Sequence, residues 1–217
     1  MAKAKYFFEK LVKISEPHAW DEQAIPSYTH SVSVVRSVFW QRVQSAFSCH
    51  PSGVKVLDFG CGVGALIPLL AGGYRNVFAF DLDPRSLEQC SKLCSELKIS
   101  NVQFLKNLGE LVQTDAGCID TIFALDVLEH IDELDEVLVE FKKLLKPNGH
   151  IVVSSPTENW IYKFMRNFGG KGFQGEFHVR AAKEVEAALA NHFHVRLIRR
   201  IFPVFTFFRI VDCTQKS

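Results

Sequence analysis

Net charge is almost absent from this chain: 25 Lys and Arg stand against 24 Asp and Glu, leaving a formal +1. A dedicated nucleic-acid binder carries a basic surplus that neutralises phosphates, so the balance argues against a nucleic-acid partner. Long apolar runs are missing too. The greasiest stretch, Ile201 to Val211, is broken by Pro203, Thr206 and Arg209, well short of the roughly 20 residues that a membrane-spanning helix needs. The first ten residues, MAKAKYFFEK, carry charges where a secretory leader needs a long apolar centre. The six cysteines contain no CxxC pair and no zinc-type spacing. Cys90 and Cys94 share an apolar stripe with Leu87, Leu93 and Leu97 and read as reduced core thiols, which predicts a cytoplasmic protein. There is no internal repeat and no low-complexity tract.

What remains is an ordinary globular composition, 47% hydrophobic and 23% charged over 217 residues. A fold of this size buries roughly 70% of its unfolded surface, so it needs no disulfide or metal to fold. One residue type is plentiful. Nine of the 19 phenylalanines lie after residue 160.

Residues 1–50 lack strand patterns. Val32, Val35, Phe39, Val43 and Ala46 recur at helical spacing and predict a helix over about 30–48, part of an N-terminal helical appendage. After the turn signal at Pro51-Ser52-Gly53, apolar strand runs alternate with helical patterns. Strands are expected at 54–59, 76–80, 102–105, 118–125 and 150–154, with two more β-like runs at 192–199 and 203–211. Helices are expected at about 63–70, from Asp83-Pro84 onward, at 132–145 and at 181–190. Asp83 before Pro84 reads as an N-cap carboxylate ahead of a first-turn proline. Alternating strands and helices imply a doubly wound α/β domain over 51–217 with a parallel sheet.

The sharpest signal is VLDFGCGVG at 56–64. A buried strand ends, alternate glycines make a tight turn, and a helix follows; bare backbone lets N–H groups approach a ligand closely. The spacing is GxGxG rather than GxGxxG, and Asp58 sits two residues before the first glycine. A carboxylate there repels a pyrophosphate but welcomes an ammonium or sulfonium, which disfavours a nicotinamide dehydrogenase. Asp81 ends the next strand, 21 residues after Gly60, where doubly wound folds place the acid that accepts from ribose hydroxyls.

These residues, with FAFDLD (78–83), DTIFALDVLEHI (120–131) and LLKPNGHIVVSSP (144–156), make the chain resemble the class I S-adenosylmethionine (SAM)-dependent methyltransferases, the small ubiquinone-biosynthesis type in particular. The resemblance implies a Rossmann-like, seven-stranded, mostly parallel sheet with an antiparallel last strand. It also implies a cofactor site in which Asp58 meets the methionine ammonium and Gly60, Cys61 and Gly62 face the methionine part. Asp81 would hold the ribose and Leu82 would pack on adenine. Asn107 stands where many relatives carry an aspartate toward the adenine amino group, and Asp126 completes the set.

Asp126, Glu129 and His130 follow the fourth strand. If the chain turns helical there, their spacing puts two carboxylates and an imidazole on one face, and His178 can add a second imidazole. Three readings stand open. His130 or His178, with Glu129, is a general base for the acceptor hydroxyl. Alternatively Asp126, Glu129, His130 and His178 hold a divalent cation that lowers the acceptor pKa. In the third, the run merely orients its loop. The remaining histidines (18, 30, 50, 150, 192, 194) read as core or surface residues.

By the same resemblance, the acceptor side is assembled from the N-terminal helices and the aromatic, glycine-rich segment at about 157–180, which reads as a lid. Trp20, Tyr28, Phe39 and Trp40 line one side; Trp160, Tyr162, Phe164, Phe168, Phe173 and Phe177 line the other. An apolar or lipid-like acceptor, methylated on oxygen, is expected. The arginine-flanked run 199–209 suggests peripheral contact with a membrane surface. The rival from another class is a non-catalytic SAM-fold binding or assembly subunit.

Overall fold

The fold, seen in a computed structural model, is described here for residues 33–157, 181–201, 206 and 208–216. Trp20, Tyr28, His18, His30 and His178 lie outside these residues, as do the other aromatic and glycine positions of segment 158–180.

Helix α1 (Ser33–Phe47) leads into β1 (Gly53–Phe59). There follow α2 (Ile67–Gly73), β2 (Tyr74–Phe80), α3 (Pro84–Glu96), β3 (Val102–Leu105), α4 (Leu108–Asp115) and β4 (Ile119–Leu125). A 3-10 turn (Leu128–His130), α5 (Leu134–Leu144), β5 (Leu145–Pro156), α6 (Ala182–His192), β6 (Phe193–Ile201) and β7 (Phe208–Gln215) complete the order. The seven strands form one sheet in the order β3-β2-β1-β4-β5-β7-β6. β1 pairs in parallel with β2 and β4, as do β2 with β3 and β4 with β5. β7 inserts antiparallel between β5 and β6. The sheet is the mostly parallel, doubly wound arrangement that the motifs imply, and strand order reverses between β1 and β4, where open α/β folds leave a ligand crevice.

Strand alternation sorts the apolar side chains onto two faces. Leu57, Ile122, Ile151 and Val153 pack with α4, α5 and α6 through Leu111, Leu138, Phe141, Val185 and Leu189. Val56, Val77, Phe123 and Val152 pack on the other face against α1, α2 and α3 through Val43, Ala46, Ile67, Leu70 and Cys90. Asp120, at the start of β4, accepts from the Val54 and Lys55 amides (2.8 and 2.7 Å) and pins the beginning of β1.

Three boundaries depart from the sequence reading. Helix α2 begins at Ile67 rather than near 63, because Cys61 to Gly64 first close a turn (Gly64 N–H to the Cys61 carbonyl, 2.9 Å) and Pro68 suits a helix's first turn. Residues 146–149, between the helix expected at 132–145 and the strand expected at 150–154, lie inside β5: the pairing with β4 skips from Ile119↔Leu145 to Thr121↔His150, so those residues are absorbed as an irregularity. The last strand starts at Phe208, five residues later than the apolar run suggests. The Asp83 cap is present, its Oδ1 accepting from the Arg85 amide at 3.0 Å.

Phe141 is fully buried and meets Phe59 edge to face at 4.9 Å. Phe141→Ala should therefore cost about 3–5 kcal/mol in urea unfolding. Val139→Ala, on the exposed side of the same helix, should change stability by less than about 0.5 kcal/mol.

Candidate active site

The carboxyl ends of β1, β2 and β4 deliver the site. After β1 the chain turns through Gly60 and Gly62, both with left-handed backbones (φ 73° and 51°). The Gly60 and Cys61 amides both donate to the Phe80 carbonyl (2.8 and 3.0 Å), which ties the loop to the end of β2. A Cβ on Gly60 would come within 2.5 Å of the Val127 side chain, whereas one on Gly62 would meet nothing within 4 Å. One glycine is thus demanded by close packing across the crevice. The other combines a strained backbone with an open wall toward which a ligand can press.

Asp81 braces this loop. Its Oδ2 accepts from the Gly62 amide (2.8 Å) and its Oδ1 from the Asp83 amide (2.9 Å). Each oxygen keeps a lone pair for a further donor. Leu82, next to it, is 86% exposed, a large apolar surface presented to solvent at the crevice rim. Cys61 is buried beneath the loop. Asn107 caps α4: its Oδ1 accepts from the Glu110 amide (2.9 Å) and its Nδ2 donates to Glu110 (2.7 Å). That capping accounts for an asparagine there, and the side-chain oxygen is already half used.

Asp58 lies in the last turn of strand before the loop and is only 3% exposed. Its Oδ2 has no hydrogen-bond partner among the described residues. Burial and then the neighbouring Asp81 charge push its pKa up to about 7, against the pull of Arg42. A buried carboxylate with an unpartnered oxygen is chemically able to take a cation.

Arg42, which sequence reading passed over, reaches the same crevice from α1. It is buried between the rings of Phe39 and Phe208, 5.7 and 5.3 Å from their centroids. Its Nη1 pairs with Asp126 Oδ2 at 2.6 Å and donates to Ser154 Oγ at 3.1 Å. Ser154 Oγ in turn donates to Asp126 Oδ1 (2.6 Å), and the Asp126 amide donates to the Ser154 carbonyl (2.9 Å). Nothing in the local pattern of α1 marks Arg42; only its place in an otherwise apolar helical face hints at it.

Asp126 has a left-handed backbone (φ 55°), and a 3-10 turn of three residues follows it. A regular α-helical face over 126–130, the condition for convergence, therefore does not form. Glu129 is 1% exposed, His130 is half-buried, and the Asp126 carboxylate is engaged by Arg42 and Ser154. The described members of the proposed cation set are not gathered into one cluster of donor atoms. Among the described residues such a cluster forms elsewhere, from His50, His150 and Asp212, where sequence reading saw only isolated histidines.

Residues 50–192 match the family described as "Methyltransferase domain", and the chain belongs to that family. It is 26% identical over 148 residues to a ubiquinone biosynthesis O-methyltransferase of Rickettsia akari, covering 67% of this chain and 57% of that protein. It is 29% identical to a mitochondrial ubiquinone biosynthesis O-methyltransferase of Schizosaccharomyces pombe, covering 67% and 53%. The chain thus spans only a little over half the length of these curated relatives. In fold, it is similar to the magnesium protoporphyrin IX methyltransferase of Synechocystis PCC 6803, solved with bound S-adenosylhomocysteine: TM-score 0.63, 22% identity, 99% of each chain covered. The resemblance read from the motifs holds at the level of family and fold.

Two outcomes follow from this geometry. For Asp58, a folded-state pKa raised above the unfolded value means that the ionised form costs stability. The penalty is absent below about pH 4 and complete above about pH 7. Asp58→Asn should raise the ligand-free stability at pH 8 by up to about 4 kcal/mol, and should leave it nearly unchanged at pH 4, in paired denaturant titrations. Arg42→Met should lower stability by about 3 kcal/mol, because it strands Asp126 and removes the cation facing Asp58; Arg42→Lys should recover only part, since one ammonium lacks the guanidinium's planar fork.

Proposed function

We propose that the chain is a SAM-dependent methyltransferase that passes a methyl group to an oxygen of a small, apolar, quinone- or lipid-like acceptor. The observation that carries this reading is the buried, unpartnered Oδ2 of Asp58 beside the open wall at Gly62. That pair suits an amino-acid ammonium on a compact backbone cradle, and it suits a pyrophosphate poorly. The exposed face of Leu82 and the remaining lone pairs of Asp81 fit an adenosine. The ubiquinone-biosynthesis names of the relatives favour an apolar acceptor and oxygen as the methylated atom.

In this reading the donor supplies an electrophilic methyl carbon on a sulfonium. The chain's own residues position it: Asp58 holds the ammonium, Gly60, Cys61 and Gly62 shape the methionine wall, and Asp81 with Asn107 and Leu82 hold the adenosine. Asp126, fixed by Arg42 and Ser154, keeps negative charge at the crevice without competing for the sulfonium. The acceptor oxygen attacks the methyl carbon, the carbon–sulfur bond breaks with its electron pair left on sulfur, and the hydroxyl proton passes to His130 or His178. Most of the acceleration comes from alignment, with base assistance secondary.

The location we propose is cytoplasmic, supported by six free thiols. No helix among the described residues is long and apolar enough to cross a membrane. Edge strand β6 exposes Leu197 and Ile198 beside Arg200, a surface suited to resting on anionic lipid.

Calorimetry with SAM should show binding that Asp81→Ala weakens by about 10–100-fold. Labelled SAM with a panel of apolar phenols and quinols should give methyl ethers, slowed at least about 100-fold in His130→Ala. Binding without transfer to any acceptor would point instead to a non-catalytic SAM-fold subunit, and transfer only to polar acceptors would remove the apolar acceptor from the proposal.

A further inference from the structure

At the opposite edge of the sheet from the glycine loop, three chain-distant residues meet. His50 follows α1, His150 stands on β5 in register with Thr121 near the start of β4, and Asp212 stands on β7 opposite Val152. Asp212 Oδ1 lies 3.2 Å from His50 Nε2 and 3.0 Å from His150 Nδ1. The two imidazoles lie 3.8 Å apart between centroids with their planes 31° from parallel. Asp212 is 4% exposed, and the histidine side chains are 23% and 29% exposed. One donor atom from each residue lies within 4.8 Å of the other two.

We propose that His50, His150 and Asp212 form a divalent transition-metal site, suited to Zn2+, that fastens α1 to β5 and β7. Two imidazoles and one carboxylate are a borderline nitrogen–oxygen set of the kind zinc takes, with a fourth position left to water. In a tetrahedral zinc site with bonds of about 2.1 Å, neighbouring ligand atoms lie about 3.4 Å apart. The observed separations of 3.0 and 3.2 Å need to widen by only a few tenths of an ångström. A bound metal would take one ring nitrogen from each histidine, the same atoms that meet Asp212 Oδ1.

The surroundings hold the ligands in place. The Tyr74 hydroxyl donates to the His50 carbonyl (2.7 Å), which fixes the loop that carries the imidazole. Arg196 Nη2 donates to the second carboxylate oxygen of Asp212 (3.1 Å), so Oδ1 is the oxygen left for the ion. The arginine itself is 75% exposed, so its charge is screened by solvent and does not bar a cation. The site does not touch the cofactor crevice. His150 and Ser154 are four residues apart on β5, about 13 Å at 3.3 Å per residue.

The test is a calorimetric titration of the full chain, first stripped with chelator, with zinc chloride alone. The expected result is one zinc per chain, weakened at least about 100-fold in His150→Ala and in Asp212→Asn, beyond what outer-shell changes alone cost. His130→Ala should leave zinc affinity unchanged. In the wild-type chain zinc should raise the melting temperature, reversibly with chelator, and cobalt should give the visible absorption of a tetrahedral site. These wild-type readouts decide the matter even where a variant does not fold. Absence of stoichiometric zinc, an octahedral cobalt spectrum, or binding lost in His130→Ala and kept in His150→Ala would each overturn the proposal.

Discussion

A carboxylate held dry at the end of β1 is the constraint around which the rest is arranged. Asp58 sits where strand order reverses, with a second acid, Asp81, close enough to raise its pKa. Two like charges in a poorly hydrated crevice are tolerated because each is managed separately. Asp81 is spent on loop amides, and Arg42 supplies the opposing charge to Asp58. The loop geometry follows: backbone N–H groups must turn toward Asp81, which requires the left-handed Gly62. Stability is given up locally to keep this carboxylate buried in the crevice.

Helix α1 carries the consequence across the molecule. Arg42 joins it to Asp126 and Ser154 at the carboxyl edge, and His50 joins its trailing loop to Asp212 at the other edge. From residue 42 to the end of α1 at Phe47 a helical rise of 1.5 Å per residue gives about 7.5 Å, and the loop carries the chain three residues on to His50. From 150 to 154 a strand covers about 13 Å in the opposite sense. Both polar knots lie along the face where α1 lies against β5.

Much of this crevice is legible in the sequence because its parts are local. Val56 to Gly64 contains strand, acid, turn and helix approach within nine residues, and Asp81 ends the next strand at the interval that a βαβ unit imposes. The Asp83-Pro84 cap is equally local. The constellation at 126–130 misleads because spacing alone assumes an α-helical turn. The left-handed Asp126, held by Arg42 and Ser154, substitutes a 3-10 turn and sends Glu129 inward. Arg42 and Asp126 are far apart in the chain, and His50 and Asp212 are 162 residues apart. No periodicity in one chain segment reports such partners. The insertion of β7 between β5 and β6 is what brings Asp212 to them.

Why a helix so well supplied with apolar contacts should also carry buried polar pairs is a question of register. Val38, Val43 and Ala46 fill one face of α1, but apolar packing is non-directional and tolerates sliding. A slip by one turn, 5.4 Å, would keep much of that burial while parting Arg42 from Asp126 and His50 from Asp212. Each parting strands a largely buried charged or polar group, which costs more than the pair contributes when made. The polar knots thus add little to stability and much to uniqueness. That uniqueness sets the position of the cation facing Asp58, and through it the electrostatics of the crevice.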